Sequence, residues 1–101
     1  MPEQRTVSEL VQRVLDAFAG LAVTAEPVDD EWQYVTDLGT VWQARLGAVG
    51  AARGSEPAPE GAPAAIEALV EEASLIADPH RAIDWLSTLP QIALAALGEE
   101  P

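Results

Sequence analysis

The segment Asp78-Pro79-His80-Arg81 contains side chains that can bind an ion or a polar partner. Aspartate followed by proline is typical of a helix start, so a new helix is predicted here. The unpaired backbone N–H groups of such a helix start can bind an anion. The positive charges of His80 and Arg81 at this end oppose the helix dipole. Asp84 can compensate them, because it lies four residues after His80 and three after Arg81.

The sequence leaves two interpretations of this segment open. In the first, His80, Arg81 and Asp84 form a polar spot that binds an anion or a partner, and Trp85 stacks on the Arg81 guanidinium. In the second, the same side chains form a local salt bridge at the surface. His80 is the only histidine of the chain, so it is a poor candidate for a general base or a metal ligand.

Carboxylates are the other groups with chemical potential, because they can hold a divalent cation. The third predicted helix offers Glu67, Glu71 and Glu72, and the second offers Asp30 and Asp37. Helical nucleotide pyrophosphatases hold magnesium with E-x-x-E and E-x-x-D motifs on facing helices, and that pair of motifs is absent here. A small metal-dependent hydrolase built on these two helices is therefore the third hypothesis, and no metal ligand or cofactor is assigned.

Other catalytic motifs are missing from the sequence. The chain has no cysteine, which excludes disulfides, thiolate metal sites and cysteine nucleophiles. It has no phosphate-binding glycine loop with a lysine, and no serine lies in the Asp-Ser-Leu context of acyl carrier proteins. These absences favour a function that is not enzymatic.

The charge balance restricts the partners. Seventeen acidic residues stand against five arginines, with no lysine, and the formal net charge is −12. Nucleic acids and anionic membranes repel such a chain, so neither is expected as a direct partner. Basic proteins are attracted by it, although the charge can also serve solubility alone. The N-terminus lacks the pattern of a signal peptide and no apolar run is long enough to span a bilayer, so a cytoplasmic location is expected.

Alanine- and leucine-rich sequence with helical spacing of apolar residues predicts an all-α protein. Thr6 and Glu9 are predicted to form a capping box, and Gly20 is predicted to end the first helix. Pro27 and Pro63 mark the beginnings of the second and third. The predicted helices span 7–19, 28–52, 63–77 and 79 onward.

The last helix is expected to kink or break at Pro90, because proline removes a backbone hydrogen bond. If the chain breaks there, Thr88-Leu89-Pro90-Gln91 would cap a fifth short helix starting at about 89. Residues 89–97 are apolar on almost every side, which requires either a central place in the core or cover from another subunit. The predicted fold is thus an antiparallel four-helix bundle, with the last helix kinked or broken at Pro90.

The whole chain, 1–101, is predicted to be a single helical domain. Residues 1–5 form a flexible leader and 98–101 an acidic tail. Residues 54–63 contain three prolines and two glycines, which excludes helix and strand and predicts a mobile surface loop.

The leading hypothesis is a small acidic protein–protein interaction or adaptor module. We expect it to self-associate, as a homodimer, or to bind another protein. Trp32 and Trp42 lie on the apolar stripe of the second helix, where they either pack in the core or contribute to an interface, because tryptophan is enriched at interface hot spots. The alternative is an acidic decoy that mimics nucleic acid and binds a basic protein. The residues assigned to an interface are Trp32, Trp42, Trp85, Leu89, Ile92, Leu94 and Leu97.

Overall fold

The computed structural model describes residues 5–26 and 32–99, with the backbone alone for residues 32–36 and 38. Four helices and no strand occur in these ranges, apart from a single bridge between Thr6 and Pro57. The predicted all-α fold is confirmed. None of the helices in these ranges is long and apolar enough to cross a membrane. The helices are α1 (Val7–Ala25), α2 (Trp32–Arg53), α3 (Ala62–Ser74) and α4 (Pro79–Ala96).

The start of α1 was predicted correctly and its end was not. The Thr6 hydroxyl accepts a hydrogen bond from the Glu9 N–H at 3.3 Å, as expected of an N-cap. Gly20 does not end the helix, which continues to Ala25. Leu21 and Ala25 are buried in the core. Their burial outweighs the helix penalty of a glycine, which is about 1 kcal/mol.

The second helix ends at Arg53, one residue beyond the predicted end. The side chains of Trp42 and Leu46 are buried, and Val49 is partly buried against them, so the C-terminal half of the predicted apolar stripe faces the core. The predicted helix start after Pro27 lies outside the described residues.

Residues 75–78 form the turn that separates α3 from α4. The sequence predicted that α3 would reach residue 77, and it ends at Ser74 instead. An aspartate that precedes a proline is biased away from helical backbone. Asp78 has extended backbone, and its side chain accepts a hydrogen bond from the His80 N–H at 3.0 Å. The predicted cap of α4 is confirmed, and the extended approach to it shortens α3.

The fourth helix passes through Pro90 without a break and ends at Ala96. The Thr88 hydroxyl donates to the Asp84 carbonyl at 3.1 Å, so it does not cap a fifth helix and none begins at residue 89. Proline cannot donate a hydrogen bond to the preceding turn. The Pro90 ring is fully buried, and the burial of its apolar surface stabilises the helix at this position.

The helices run alternately up and down. At one end of the bundle, the beginning of α1 and the beginning of α3 meet the ends of α2 and α4. Two hydrogen bonds show this: the Ser8 N–H donates to the Gly54 carbonyl at 3.1 Å, and Arg53 Nη1 donates to the Leu97 carbonyl at 2.9 Å. In the described part of the chain, α1 and α4 each contact all other helices, whereas α2 and α3 do not contact each other. The core lies between α1 and α4.

The loop between α2 and α3 crosses the beginning of α1 and is hydrogen-bonded to it. The Val7 N–H donates to the Glu56 carbonyl at 3.0 Å, and the Ala58 N–H donates to the Arg5 carbonyl at 2.8 Å. A helix start leaves its first N–H groups without partners inside the helix. The loop supplies such partners, so hydrogen bonds fix it to the start of α1.

Candidate functional site

Most of the apolar segment 89–97 lies in the core of the chain itself. Leu89 and Leu97 are fully buried and Leu94 nearly so. Of the two explanations left open by the sequence, a central place in the core therefore accounts for these three side chains. Ile92 differs, because 43% of its surface is exposed, and it lies seven residues after Trp85, on the same face of α4.

The tryptophans assigned to an interface occupy different environments. Trp42 is buried, and its indole Nε1 has no hydrogen-bond partner among the described residues. The Arg45 guanidinium lies 5.2 Å from the centre of the Trp42 ring. Trp85 is half-buried at the surface. The Trp32 side chain lies outside the described part of the chain.

The predicted polar spot is exposed and loosely organised. His80, Arg81 and Asp84 all lie at the surface near the start of α4. Within the described ranges, no ion pair joins Asp84 to either cation, and the cation–π contact that the structure shows involves Arg45 rather than Arg81. The three side chains lie near one another on α4, but they do not form the predicted salt bridges or the predicted stacking contact.

A surface groove of about 380 Å³ runs between α1 and the C-terminal half of α3. Its α1 wall includes Ala17, Gly20 and Leu21, and its α3 wall includes Val70 and Ala73. A side chain added at Gly20 would meet no atom within 4 Å. The groove is therefore open to solvent at Gly20. Apolar side chains line its base, and the side chains on its α1 wall near Gly20 are small.

A second, smaller groove of about 280 Å³ lies between the end of α3 and the beginning of α4. Leu75, Ile76, Arg81 and Trp85 line it, together with Glu72. Ile76 also lines the first groove, so the two are continuous.

Leu75 lines the second groove and is 78% exposed. The turn toward Asp78 takes Leu75 out of α3 and away from the core. We call the continuous surface of both grooves the α3-end patch; its apolar side chains are Ala17, Leu21, Val70, Ala73, Leu75, Ile76 and Trp85.

One end of the first groove is closed by an ion-pair cluster. Glu67 accepts hydrogen bonds from Arg13 at 2.8 and 3.0 Å and from Arg5 at 2.9 Å. These hydrogen bonds, first from Arg13 and then from Arg5, lower the pKa of Glu67 to about 2. Arg13, which lines the groove, is therefore held in an ion pair with Glu67.

Carboxylates without an ion pair lie on the helices and the turn that form the α3-end patch, and two of them, Asp16 and Glu72, line its grooves. Five of them are exposed and form no salt bridge with any described residue: Asp16, Glu71, Glu72, Asp78 and Asp84. Arg81 lines the second groove, and it also forms no ion pair with any described residue. Five unpaired carboxylates thus stand against one unpaired arginine in this region, so these groups together carry a net negative charge.

The carboxylates considered for a metal site lie apart. Glu67 is bound by two arginines, and α2 and α3 do not contact each other in the described ranges, so Asp37 does not face α3. No group of three potential metal ligands occurs among the described residues. Asp30 lies outside them.

The sequence analysis assigned Leu75 no role. The signal for the patch was an apolar Leu75-Ile76 pair directly before the predicted helix restart at Asp78. Helix ends are the least certain part of a sequence-based assignment, and exposure at residue 75 depends on where α3 ends.

No protein-family model, curated protein or solved structure matches this chain.

Proposed function

We propose that this protein is a small cytoplasmic interaction module that binds another protein through the α3-end patch. The observation that carries the proposal is the exposure of Leu75, 78%, in the second of two adjoining grooves that apolar side chains line in part. Contiguous exposed apolar surface with a polar rim is characteristic of protein-binding sites. The absence of cysteine suits a reducing compartment.

Binding explains the composition of the patch better than catalysis does. Its base consists of aliphatic and small side chains, which supply contact area and no acid, base or nucleophile. Of the charged groups on its walls, Arg13 is held by Glu67 at 2.8 Å. The half-buried Trp85 provides the kind of aromatic anchor that concentrates binding energy at interfaces.

A partner other than a second copy is favoured by charge. Each copy carries a net charge of −12, and two such copies repel each other. Self-association, predicted from the sequence as a homodimer, is the second version of the proposal, and the experiment below separates the two.

Site-specific photo-crosslinking in the cells that produce the protein tests the proposal. The photoreactive residue p-benzoylphenylalanine replaces Leu75 in one variant and Val41 in a control, because Val41 is also exposed, at 55%, and lies on α2. We expect a discrete crosslinked product from position 75 and none from position 41. A product of twice the chain mass identifies a homodimer. Equal products from both positions, or none from position 75, overturn the proposal.

The acidic decoy is a second candidate, and one observation favours it. Arg5, Arg13 and Arg53 are engaged in ion pairs within the chain, so the negative field of the remaining carboxylates is little opposed. A decoy binds basic proteins through charge over much of its surface, so Leu75→Ser leaves its binding intact and high salt abolishes it. Binding by the interaction module, in contrast, is expected to be weakened by Leu75→Ser.

A further inference from the structure

We infer that the α3-end patch takes a basic amphipathic α-helix of the partner, with the apolar face of that helix in the groove between α1 and α3. This inference rests on the proposed function and specifies the partner's chemistry.

The shape of the groove fits a helix. Its α1 wall extends from Arg13 to Thr24, which is about 16 Å along the helix axis, or three turns. The base is apolar, with Leu21, Val70 and Ile76. Grooves of this kind bind the apolar face of an amphipathic helix through residues spaced three and four apart.

Small side chains on the α1 wall allow the partner helix to come close. Ala17, Gly20 and Thr24 succeed one another at intervals of three and four residues and therefore share one face of α1. Gly20 is exposed and has free space where a side chain would be. A partner helix can therefore contact the α1 backbone at this position.

The charges at the rim select a cationic helix. Asp16 lies on the α1 wall, and Glu72 lines the second groove beside Glu71. None of the three forms a salt bridge with any described residue, and Arg13 is already ion-paired. Arg81 in the second groove has no ion-pair partner in the described ranges either, so three unpaired carboxylates stand against one unpaired arginine. Complementary potentials across an interface raise the association rate and select the partner. Lysine or arginine flanking the apolar face of the incoming helix complements this rim.

A second copy of this chain does not supply such a helix. The sequence has no lysine, and three of its five arginines form ion pairs within the chain. The helix that fits the rim therefore belongs to a different protein.

Three synthetic helical peptides of about 18 residues, or five turns, test the inference. They share one leucine–alanine apolar face and differ on the polar face, which carries lysine, glutamine or glutamate. We expect the lysine peptide to bind the full-length protein about tenfold more tightly than the glutamine peptide at low salt, and the glutamate peptide not to bind. Calorimetry gives the dissociation constants, and NMR shift changes at Val70, Leu75 and Ile76 locate the site.

Two variants control for nonspecific attraction. Gly20→Leu fills the groove at a helical position, and Gly47→Leu adds the same side chain on α2, where a Cβ also meets no atom within 4 Å. Both exchange a helical glycine for a good helix former, so neither is expected to unfold the protein. We expect Gly20→Leu to weaken binding of the lysine peptide about tenfold or more and Gly47→Leu to leave it unchanged.

The outcomes separate this inference from the proposed function. Equal affinity for the lysine and glutamine peptides, still sensitive to Gly20→Leu, overturns the basic partner and leaves the groove as a docking site. Binding of the lysine peptide that Gly20→Leu does not weaken overturns helix docking in the groove and supports the decoy. No binding by any peptide overturns the helical partner, whereas the proposed function fails if position 75 gives no crosslinked product or if positions 75 and 41 give equal products.

Discussion

Glu67 connects three parts of the chain, because its carboxylate on α3 binds Arg5 before α1 and Arg13 within α1. The sequence identified Glu67 only as a carboxylate that could hold a cation and could not identify its partners, since both arginines lie more than fifty residues away. Side-chain pairs across helices depend on how the helices are arranged. This arrangement could not be read from spacing alone.

We expect Glu67→Gln to remove an acid-sensitive contribution to stability. The folded-state pKa of Glu67, about 2, lies below its ordinary value, so the charged form stabilises the fold above that ordinary value. This contribution is lost as the pH falls from about 5 toward 2. The unfolding free energies of wild type and Glu67→Gln should therefore differ by a constant amount near neutral pH and converge in acid. The difference is modest, because 38% of the Glu67 side chain is exposed and solvent screens its ion pairs.

Urea unfolding across this pH range gives the measurement, and Glu71→Gln is the control because Glu71 is exposed and forms no salt bridge with any described residue. A difference between wild type and Glu67→Gln that stays constant down to pH 2 would contradict the assigned role.

Trp42 combines a buried ring with an indole N–H that has no acceptor among the described residues. Burying an unpaired donor costs about 1–3 kcal/mol. Trp42→Phe removes that donor together with some ring area, so we expect its unfolding free energy to lie within about 1 kcal/mol of wild type. Trp42→Ala should cost about 3–5 kcal/mol, because it also leaves a cavity. Unfolding followed by circular dichroism measures both, and an equal loss in the two variants would contradict the account.

At the scale of the elements, helix starts could be predicted well and helix ends poorly. Thr6 and Asp78 were identified as caps because N-capping is a local interaction between a side chain and a nearby N–H. The end of α1 was misplaced at Gly20, because burial of Leu21 and Ala25 extends the helix and burial is a property of the whole fold. The continuity of α4 through Pro90 has the same origin.

The junction between α2 and the following loop gives a test at this scale. A Cβ at Gly54 would collide with the Gly50 carbonyl oxygen and lie 3.3 Å from the Ser8 Cβ. We expect Gly54→Ala to lower the unfolding free energy by about 1–3 kcal/mol, as in other overpacked sites. Gly47→Ala, in open space on α2, should raise it by up to about 1 kcal/mol. Thermal or urea unfolding of both variants measures these changes in unfolding free energy. A Gly54→Ala variant as stable as wild type would contradict the expected collision with the Gly50 carbonyl oxygen.

At the scale of the whole molecule, the sequence predicted the helix number and the all-α fold, because four apolar stripes with caps and breakers define them. It also identified residues 89–97 as an apolar segment that must be buried, either in the core or against another subunit. That the cover comes from the chain's own helices follows from the central position of α4, which contacts each of the other three in the described ranges. The α3-end patch arises only after α1 and α3 are placed side by side.

The patch should contribute to binding and little to folding. Leu75 is 78% exposed, so we expect Leu75→Ser to change the unfolding free energy by no more than about 0.5 kcal/mol, as is usual for surface substitutions. A loss of about 2 kcal/mol or more, the value of a fully buried leucine, would place Leu75 in the core and contradict its role at the surface.

The most direct test of the docking surface is photo-crosslinking from position 75 in two backgrounds, Gly20→Leu and Gly47→Leu. At both positions an added Cβ meets no atom within 4 Å, but only Gly20 lines the groove between α1 and α3. We predict that the crosslinked product persists in the Gly47→Leu background and disappears in the Gly20→Leu background. Persistence of the same product in both backgrounds would contradict the central claim that this groove holds the partner.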